Sequence, residues 1–445
     1  MSSLVKRALA AAAAAALLAG GTGAQLLPGV GLPPLPPIGL PAGNVPVVGP
    51  VLADILAQPG AREAVAPTLD SVAGLPDSLI QARPSTLLEL RKLRLRELIR
   101  QHPRELESDG SGLPVRRGAV VAIDPDPLSL SLASRNGFRV IADAREDSLG
   151  LRMVTLAAPR GMSSREALKR LRSIAPGLDA DFDHIFEPAG SDLLPLAAAL
   201  VAGAGSARGP LIGIVDGGVA AHPSLAGAAI EQNGFAGSPQ PTGHGTAVAS
   251  LIVGNQGQFR GAARGAALLV ADVYGGSRAA GSASTIVRAL SWLAARRVQV
   301  INISLVGPRN RAVEQAIGAV RARGIHIVAA VGNDGPAAPP QYPASYPTVV
   351  AVTGVDARGR ALPEAGRAAH LDFAAPGADM AAAIPGRGYA RVRGTSFAAP
   401  LAAARLALSG SAQRLAAEAR PAKGRVGRGL VCGDCRVDPR AVGAK

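Results

Sequence analysis

At 445 residues the chain is long enough for two or three domains with a sizeable core, and 48% hydrophobic but only 3% aromatic content points to alanine-dominated packing. Lys and Arg number 47 against 32 Asp and Glu, a net charge of +15 that raises nucleic acid or an anionic surface as partner. The charge is mostly arginine, spread out, and accompanied by neither interleaved aromatics nor a nucleic-acid-binding motif, so solvated basic surface is expected and no nucleic acid.

In chain order, Lys6 and Arg7 precede an apolar run over 8–19 and the small residues Thr22-Gly23-Ala24, which reads as a signal peptide over 1–24. No other segment approaches about 18 uninterrupted apolar residues. The mature form is therefore expected to have no transmembrane helix and to be exported, to the periplasm or beyond the cell; an uncleaved anchor is the alternative. Residues 25–84 are punctuated by prolines, as in Leu32-Pro33-Pro34-Leu35-Pro36-Pro37, and read as a disordered linker.

Residues 85–110 carry a basic amphipathic helix, predicted over 85–107. Thr86 and Glu89 fit a capping box, and Leu88, Leu95 and Ile99 recur between Arg91, Lys92, Arg94, Arg96 and Arg100. Either it docks by its leucine face, or it binds a membrane surface or partner. Over 117–190 the pattern predicts strands at 119–123, 138–143, 151–157 and 182–186. Helices fall over 127–136 and, capped by Ser163 with Glu166, up to Ile174. The order βαββαβ is that of a small α+β ferredoxin-like domain. An alanine- and glycine-rich linker follows over 191–209.

From 210 to 430 strands and helices alternate: strands at 211–215, 267–271, 298–303, 325–330 and 349–353, helices at 284–296 and 310–323. Alternation of this kind predicts an α/β domain, a parallel sheet with helices on both faces. Three stretches carry chemistry. The run Leu211-Ile212-Gly213-Ile214-Val215 ends in Asp216, at the strand end where such sheets build sites; His244 lies between Gly243 and Gly245 at a helix start; and Ser396, in Gly394-Thr395-Ser396-Phe397-Ala398-Ala399-Pro400, enters the first turn of another helix. There, helix-end N–H groups stabilise a forming anion.

The chain order Asp216, His244, Ser396 resembles that of the subtilisin-like serine proteases, the subtilase family, and the resemblance runs from about Pro210 to about Arg405. A fourth block, Ala329-Ala330-Val331-Gly332-Asn333-Asp334-Gly335, is similar to the family's oxyanion-hole segment, with Asn333 as donor. The resemblance implies that Ser304, Leu305, Val306 and Gly307 with Ala330, Val331 and Gly332 line the substrate groove. It further implies a cis bond before Pro343. One departure is Gly217, where the family carries Ser or Thr to help position the carboxylate; backbone N–H groups are expected to replace that hydroxyl.

By residue type, His244 would take the proton of Ser396 and Asp216 would hold the imidazole's tautomer. The fold class expected is thus a subtilisin-like sheet preceded by the ferredoxin-like unit, which by resemblance would be a propeptide acting as intramolecular inhibitor, cut within 191–209. A permanent scaffold domain is the alternative. Protein or peptide substrates are the expected partners. A dead peptide-binding relative and an anionic-surface binder are the other functional readings. No metal ligand set is recognised and no cofactor is required, though calcium occurs in the family. His222 and His326 read as turn and strand-end residues, and His102, His184 and His370 have no recognisable partners. In the tail, 431–445, Cys432 and Cys435 are the only cysteines, read as a tight disulfide or two free thiols.

Overall fold

The computed structural model describes residues 84–189, 200–201, 203–204, 208–386 and 388–444, all within one unit, Thr68–Lys445. The expected signal peptide, almost all of the Pro-rich linker and much of 191–209 lie outside the described residues. Helix α1 (Pro84–Gln101) leads into β1 (Leu106–Ser108), β2 (Pro114–Ile123), α2 (Pro127–Arg135), β3 (Arg139–Glu146), β4 (Leu151–Ala157), α3 (Ser164–Ile174) and β5 (Asp179–His184). The antiparallel sheet runs β5-β2-β4-β3, with β1 beside the start of β2. That is ferredoxin-like winding. The Ser163–Glu166 capping box is present. Asp126 accepts from the N–H of Ser129, capping α2 ahead of Pro127.

The expectation for α1 needs correction. Thr86 lies inside the helix rather than at its cap, the helix ends at Gln101, and 106–108 is strand. Its buried face is Leu87, Leu90, Leu95 and Leu98. The last strand is also displaced, to Asp179–His184, because its alternating aspartates each meet a partner on the next domain.

Side chains of β2 alternate with period two. Val120 and Ala122 share a core with Leu168 and Leu171 of α3, whereas Val121 and Ile123 share one with residues of the following domain.

After the connecting arm with β6 (Glu187–Pro188), that domain comprises β7 (Gly203–Ala204), β8 (Leu211–Asp216), β9 (Gly218–Val219), β10 (Ala229–Gly234), β11 (Pro241–Thr242), α4 (Gly243–Val253), the short pair β12 (Asn255–Gln256) and β13 (Phe259–Arg260), β14 (Ala267–Asp272) and α5 (Ala283–Ala295). There follow β15 (Val300–Ile303), β16 (Leu305–Val306), α6 (Arg311–Ala322), β17 (His326–Ala330), β18 (Val350–Val355), β19 (Phe373–Pro376), β20 (Met380–Ile384), β21 (Gly388–Val392), α7 (Thr395–Ser409) and α8 (Ala412–Glu418). The main sheet runs β19-β18-β17-β15-β8-β14-β10-β7, parallel from β19 to β10 and antiparallel only at β7.

Later strands are laid down on both sides of β8, so its C-terminal end, Asp216, opens onto the topological switch point. Helices α4 and α7 cover one face, packing on Ile212, Ile214, Val270 and Val328; α5 and α6 cover the other, on Val215, Ile301 and Ile327. Residues 431–444 lie along β19 and β20, the N–H of Val431 on the carbonyl of Ala374 and that of Ala381 on the carbonyl of Val437. Cys432 and Cys435 form a disulfide.

Candidate active site

Asp216 ends β8 and His244 sits in the first turn of α4, a helix capped by the Thr242 hydroxyl. The two side chains are buried, with His244 Nδ1 2.9 Å from both carboxylate oxygens. Gly217 supplies its backbone: the N–H donates to Asp216 Oδ1 at 2.7 Å, the replacement expected for the absent hydroxyl.

Ser396 is buried at the second position of α7. No side chain of the preceding residue caps this helix, because Gly394 carries φ +143° and has none. Asn333 does so from three residues beyond β17, its Oδ1 accepting the Thr395 N–H at 3.0 Å. A Cβ on Gly394 would stand 3.0 Å from Asn333 Nδ2 and 3.6 Å from Ser396 Oγ, so amide and hydroxyl share one corner. Pro400, four residues after Ser396, has no N–H to return to the Ser396 carbonyl. The Ser304 hydroxyl donates there instead, at 2.9 Å, and accepts in turn from Asn302 Nδ2. The ring of Phe397 lies 5.3 Å from that of His244, and the Tyr342–Pro343 bond is cis.

The groove beside these residues is occupied by the chain itself. After β5, Ile185 bridges Ser282 and the Phe186 N–H donates to the Gly281 carbonyl; β6 then pairs antiparallel with β16, Glu187 opposite Val306 and Pro188 opposite Leu305. The Ala189 N–H donates to the Ser304 carbonyl at 2.9 Å, and the Ala189 carbonyl accepts from Asn333 Nδ2. Of the groove residues expected, 304–307 thus contact the arm: a Cβ on Gly307 would stand 2.5 Å from the Phe186 ring. Ala330 shares a core with Ala189, Val331 lies in the opposite core, and Gly332 accepts from the Thr395 hydroxyl through its carbonyl.

Two features escaped the sequence. Asp272 ends β14 directly opposite Asp216; its carboxylate accepts the N–H groups of Gln240, Tyr274 and Gly275, while burial and the neighbouring Asp216 push its pKa up. The run Ala267-Leu268-Leu269-Val270-Ala271-Asp272 repeats the apolar-run-then-Asp pattern of 211–216 and was the available signal. The other is an ion cluster over the arm. Arg94 lies 3.3 Å from Glu187 and 3.0 Å from Asp334, Arg91 lies 3.1 Å from Asp334, and Arg278 lies 3.3 Å from Glu187. Burial alone would raise Asp334, but the Arg94 and Arg91 guanidiniums hold it below the usual carboxylate range.

Histidines read as partnerless are not. His184 Nε2 is 3.6 Å from Asp109 and its Nδ1 is 3.2 Å from Asn310 Nδ2; His370 bonds the Val349 carbonyl, and His102 lies 3.9 Å from Glu105. His222 caps a short turn through Ser224 and is held below its usual pKa by burial. Among the described residues no three His, Cys, Asp or Glu gather as a metal site, and no helix is long and apolar enough to cross a membrane.

The Peptidase S8, subtilase family model matches residues 207–421. Subtilisin Savinase of Lederbergia lenta is 36% identical over 205 residues, 45% of this chain and 76% of that protein. An alkaline protease of Shouchella clausii is also 36% identical over 205 residues, but the match spans only 53% of its length. The crystal structure of fervidolysin from Fervidobacterium pennivorans superposes with a TM-score of 0.59 at 19% identity, covering 74% of this chain and 61% of that one, a likeness of fold. The fold and the triad-like order define a subtilisin-like α/β protein. The chain belongs to the subtilase family of serine proteases.

Proposed function

We propose that the protein is an exported serine endopeptidase made as a self-inhibited precursor, and that its first substrate is its own Ala189–Gly190 bond. The observation that carries this reading is the Ala189 carbonyl accepting from Asn333 Nδ2 at the end of an arm paired with β16 like a bound peptide. Ser396 Oγ attacks the Ala189 carbonyl carbon as His244 takes the hydroxyl proton, with Asp216 steadying the imidazolium. The oxyanion is met by Asn333 and the Ser396 N–H. Collapse breaks the C–N bond, His244 protonates the Gly190 amine, and water then hydrolyses the Ala189 ester. This places the cut just ahead of the linker 191–209, because the carbonyl within reach of the donor belongs to Ala189.

The reading also explains why residues 102–189 cover the enzyme: β5 sets Asp181 on the N–H of Arg311 and Asp183 on the N–H and hydroxyl of Ser284, the starts of α6 and α5. Export rests on residues 1–24. The apolar face of α1 and its Arg91 and Arg94 are engaged within the chain, which weighs against a membrane-surface role. The test is to express the full chain and its Ser396→Ala variant: the wild type yields a new N-terminus at Gly190 and cleaves casein, and the variant stays whole. An Ser396→Ala chain still cut at Gly190 in the absence of other proteases would sink the proposal.

A further inference from the structure

The space over Gly217 is filled from another segment. A Cβ there would stand 2.5 Å from both Thr242 Oγ1 and Thr242 Cγ2, so the Thr242 side chain fills the place that a side chain on the residue after Asp216 would take. Its hydroxyl bridges two segments: it donates to the Gly218 carbonyl at 3.3 Å and accepts the Gly245 N–H at 3.0 Å. Gly218 follows the Asp216 turn by two residues and Gly245 follows His244 by one. The segments also touch through backbone, the Gly218 N–H donating to the Gln240 carbonyl and β9 pairing with β11. Gly245 is tight against the Gly217 and Gly218 carbonyls, so neither segment can slide without the other. Asp272 fixes the far end of the His244 segment through the Gln240 N–H.

We infer that Thr242 is a positioning residue for the reaction: its side chain, seated on the bare Cα of Gly217, sets the Asp216 carboxylate against His244 Nδ1. The inference rests on the protease reading above. The hydrogen bonds of Thr242 go to Gly218, Gly245 and Thr246 and not to the arm, so its loss is expected to act on turnover more than on substrate binding. Because the contact is a matter of one side chain between two backbones, it is transferable: a hydroxyl carried on residue 217 with nothing at 242 restores the filling, whereas side chains at both positions collide.

The test uses the self-processed full chain and a peptide anilide carrying Phe-Glu-Pro-Ala before the cut, with kcat and KM read at 25 °C and Tm measured for each variant. Thr242→Ala is expected to lose about tenfold or more in kcat with KM within about twofold of wild type, and Thr242→Ser to keep wild-type values within about twofold. Gly217→Ser alone loses kcat, and Gly217→Ser with Thr242→Gly recovers most of it. Wild-type kcat in Thr242→Ala, or a double variant no better than Gly217→Ser, overturns the inference. Should Thr242→Ala not fold, the Gly217→Ser pair decides. A wild-type chain that turns over no peptide refutes the protease reading itself, a result distinct from either.

Discussion

Arg94 of α1 reaches Asp334, one guanidinium nitrogen 3.0 Å from Oδ1, while the same group lies 3.3 Å from Glu187 of the arm. Glu187 and Asp334 are both buried, so without Arg94 two carboxylates would face one another across the groove, offset among the described cations by Arg91 and Arg278. Truncating one partner of a buried pair typically costs about 3–5 kcal/mol, less here because two cations remain. Arg94→Met is therefore expected to shorten, by about tenfold or more, the delay between the cut at Gly190 and the appearance of peptidase activity. An unchanged delay would show that α1 does not hold the arm.

Asn333 has two jobs that substitution separates. Its Nδ2 serves the Ala189 carbonyl and its Oδ1 caps α7 at Thr395. Asn333→Ala should lose about 100-fold or more in kcat with KM little changed, and about 1 kcal/mol of stability as the cap goes. Asn333→Asp should lose kcat at least as much yet keep the cap. Equal Tm losses in both variants would contradict the division of labour.

The candidate site was legible in the sequence where a residue type stands beside a fixed backbone turn: Asp216 closing an apolar run, His244 between glycines, Ser396 after Gly394. The βαββαβ order was legible because each helix carries its own stop or cap, as at Gly137 and at Ser163 with Glu166. Contacts between elements far apart in sequence were not. Nothing local marks Glu187 as the partner of Arg94, 93 residues away. The last strand was expected at 182–186 rather than 179–184 because the partners of the β5 aspartates are the starts of α5 and α6. The face of α1 was misread because Arg91 and Arg94, ordinarily solvated, are turned inward to carboxylates.

Gly307 makes room for the Phe186 ring, while the Phe186 carbonyl lies by Gly281 and accepts from the Tyr274 hydroxyl at 3.2 Å. Gly307→Val should slow the self-cut by about tenfold or more, since overpacking a filled site costs about 1–3 kcal/mol. Adding Phe186→Ala should restore the rate. If the double variant is as slow as Gly307→Val alone, the valine acts on the groove backbone and not on the ring.

Asp183 should make docking respond to pH. Its carboxylate, on β5, is buried against α5, and burial raises its pKa even though the N–H and hydroxyl of Ser284 and the charge of Arg116 pull the other way. Once the arm departs the group returns toward an ordinary Asp value of about 3.9. The docked form therefore binds the proton more tightly than the released form, and linkage gives the sign. This group's contribution to docking is fully present below about pH 3.9 and is lost as pH rises through the raised value. Release of the cut segment, followed as peptidase activity appearing from pH 4 to pH 8, should accelerate with rising pH. In Asp183→Asn the group cannot ionise, and its amide can still meet Ser284. The variant should release more slowly than wild type at the high end of the range and show a flatter pH dependence. A variant with the wild-type slope would place the pH response elsewhere, and one that releases faster at every pH would show that the charge itself holds the start of α5.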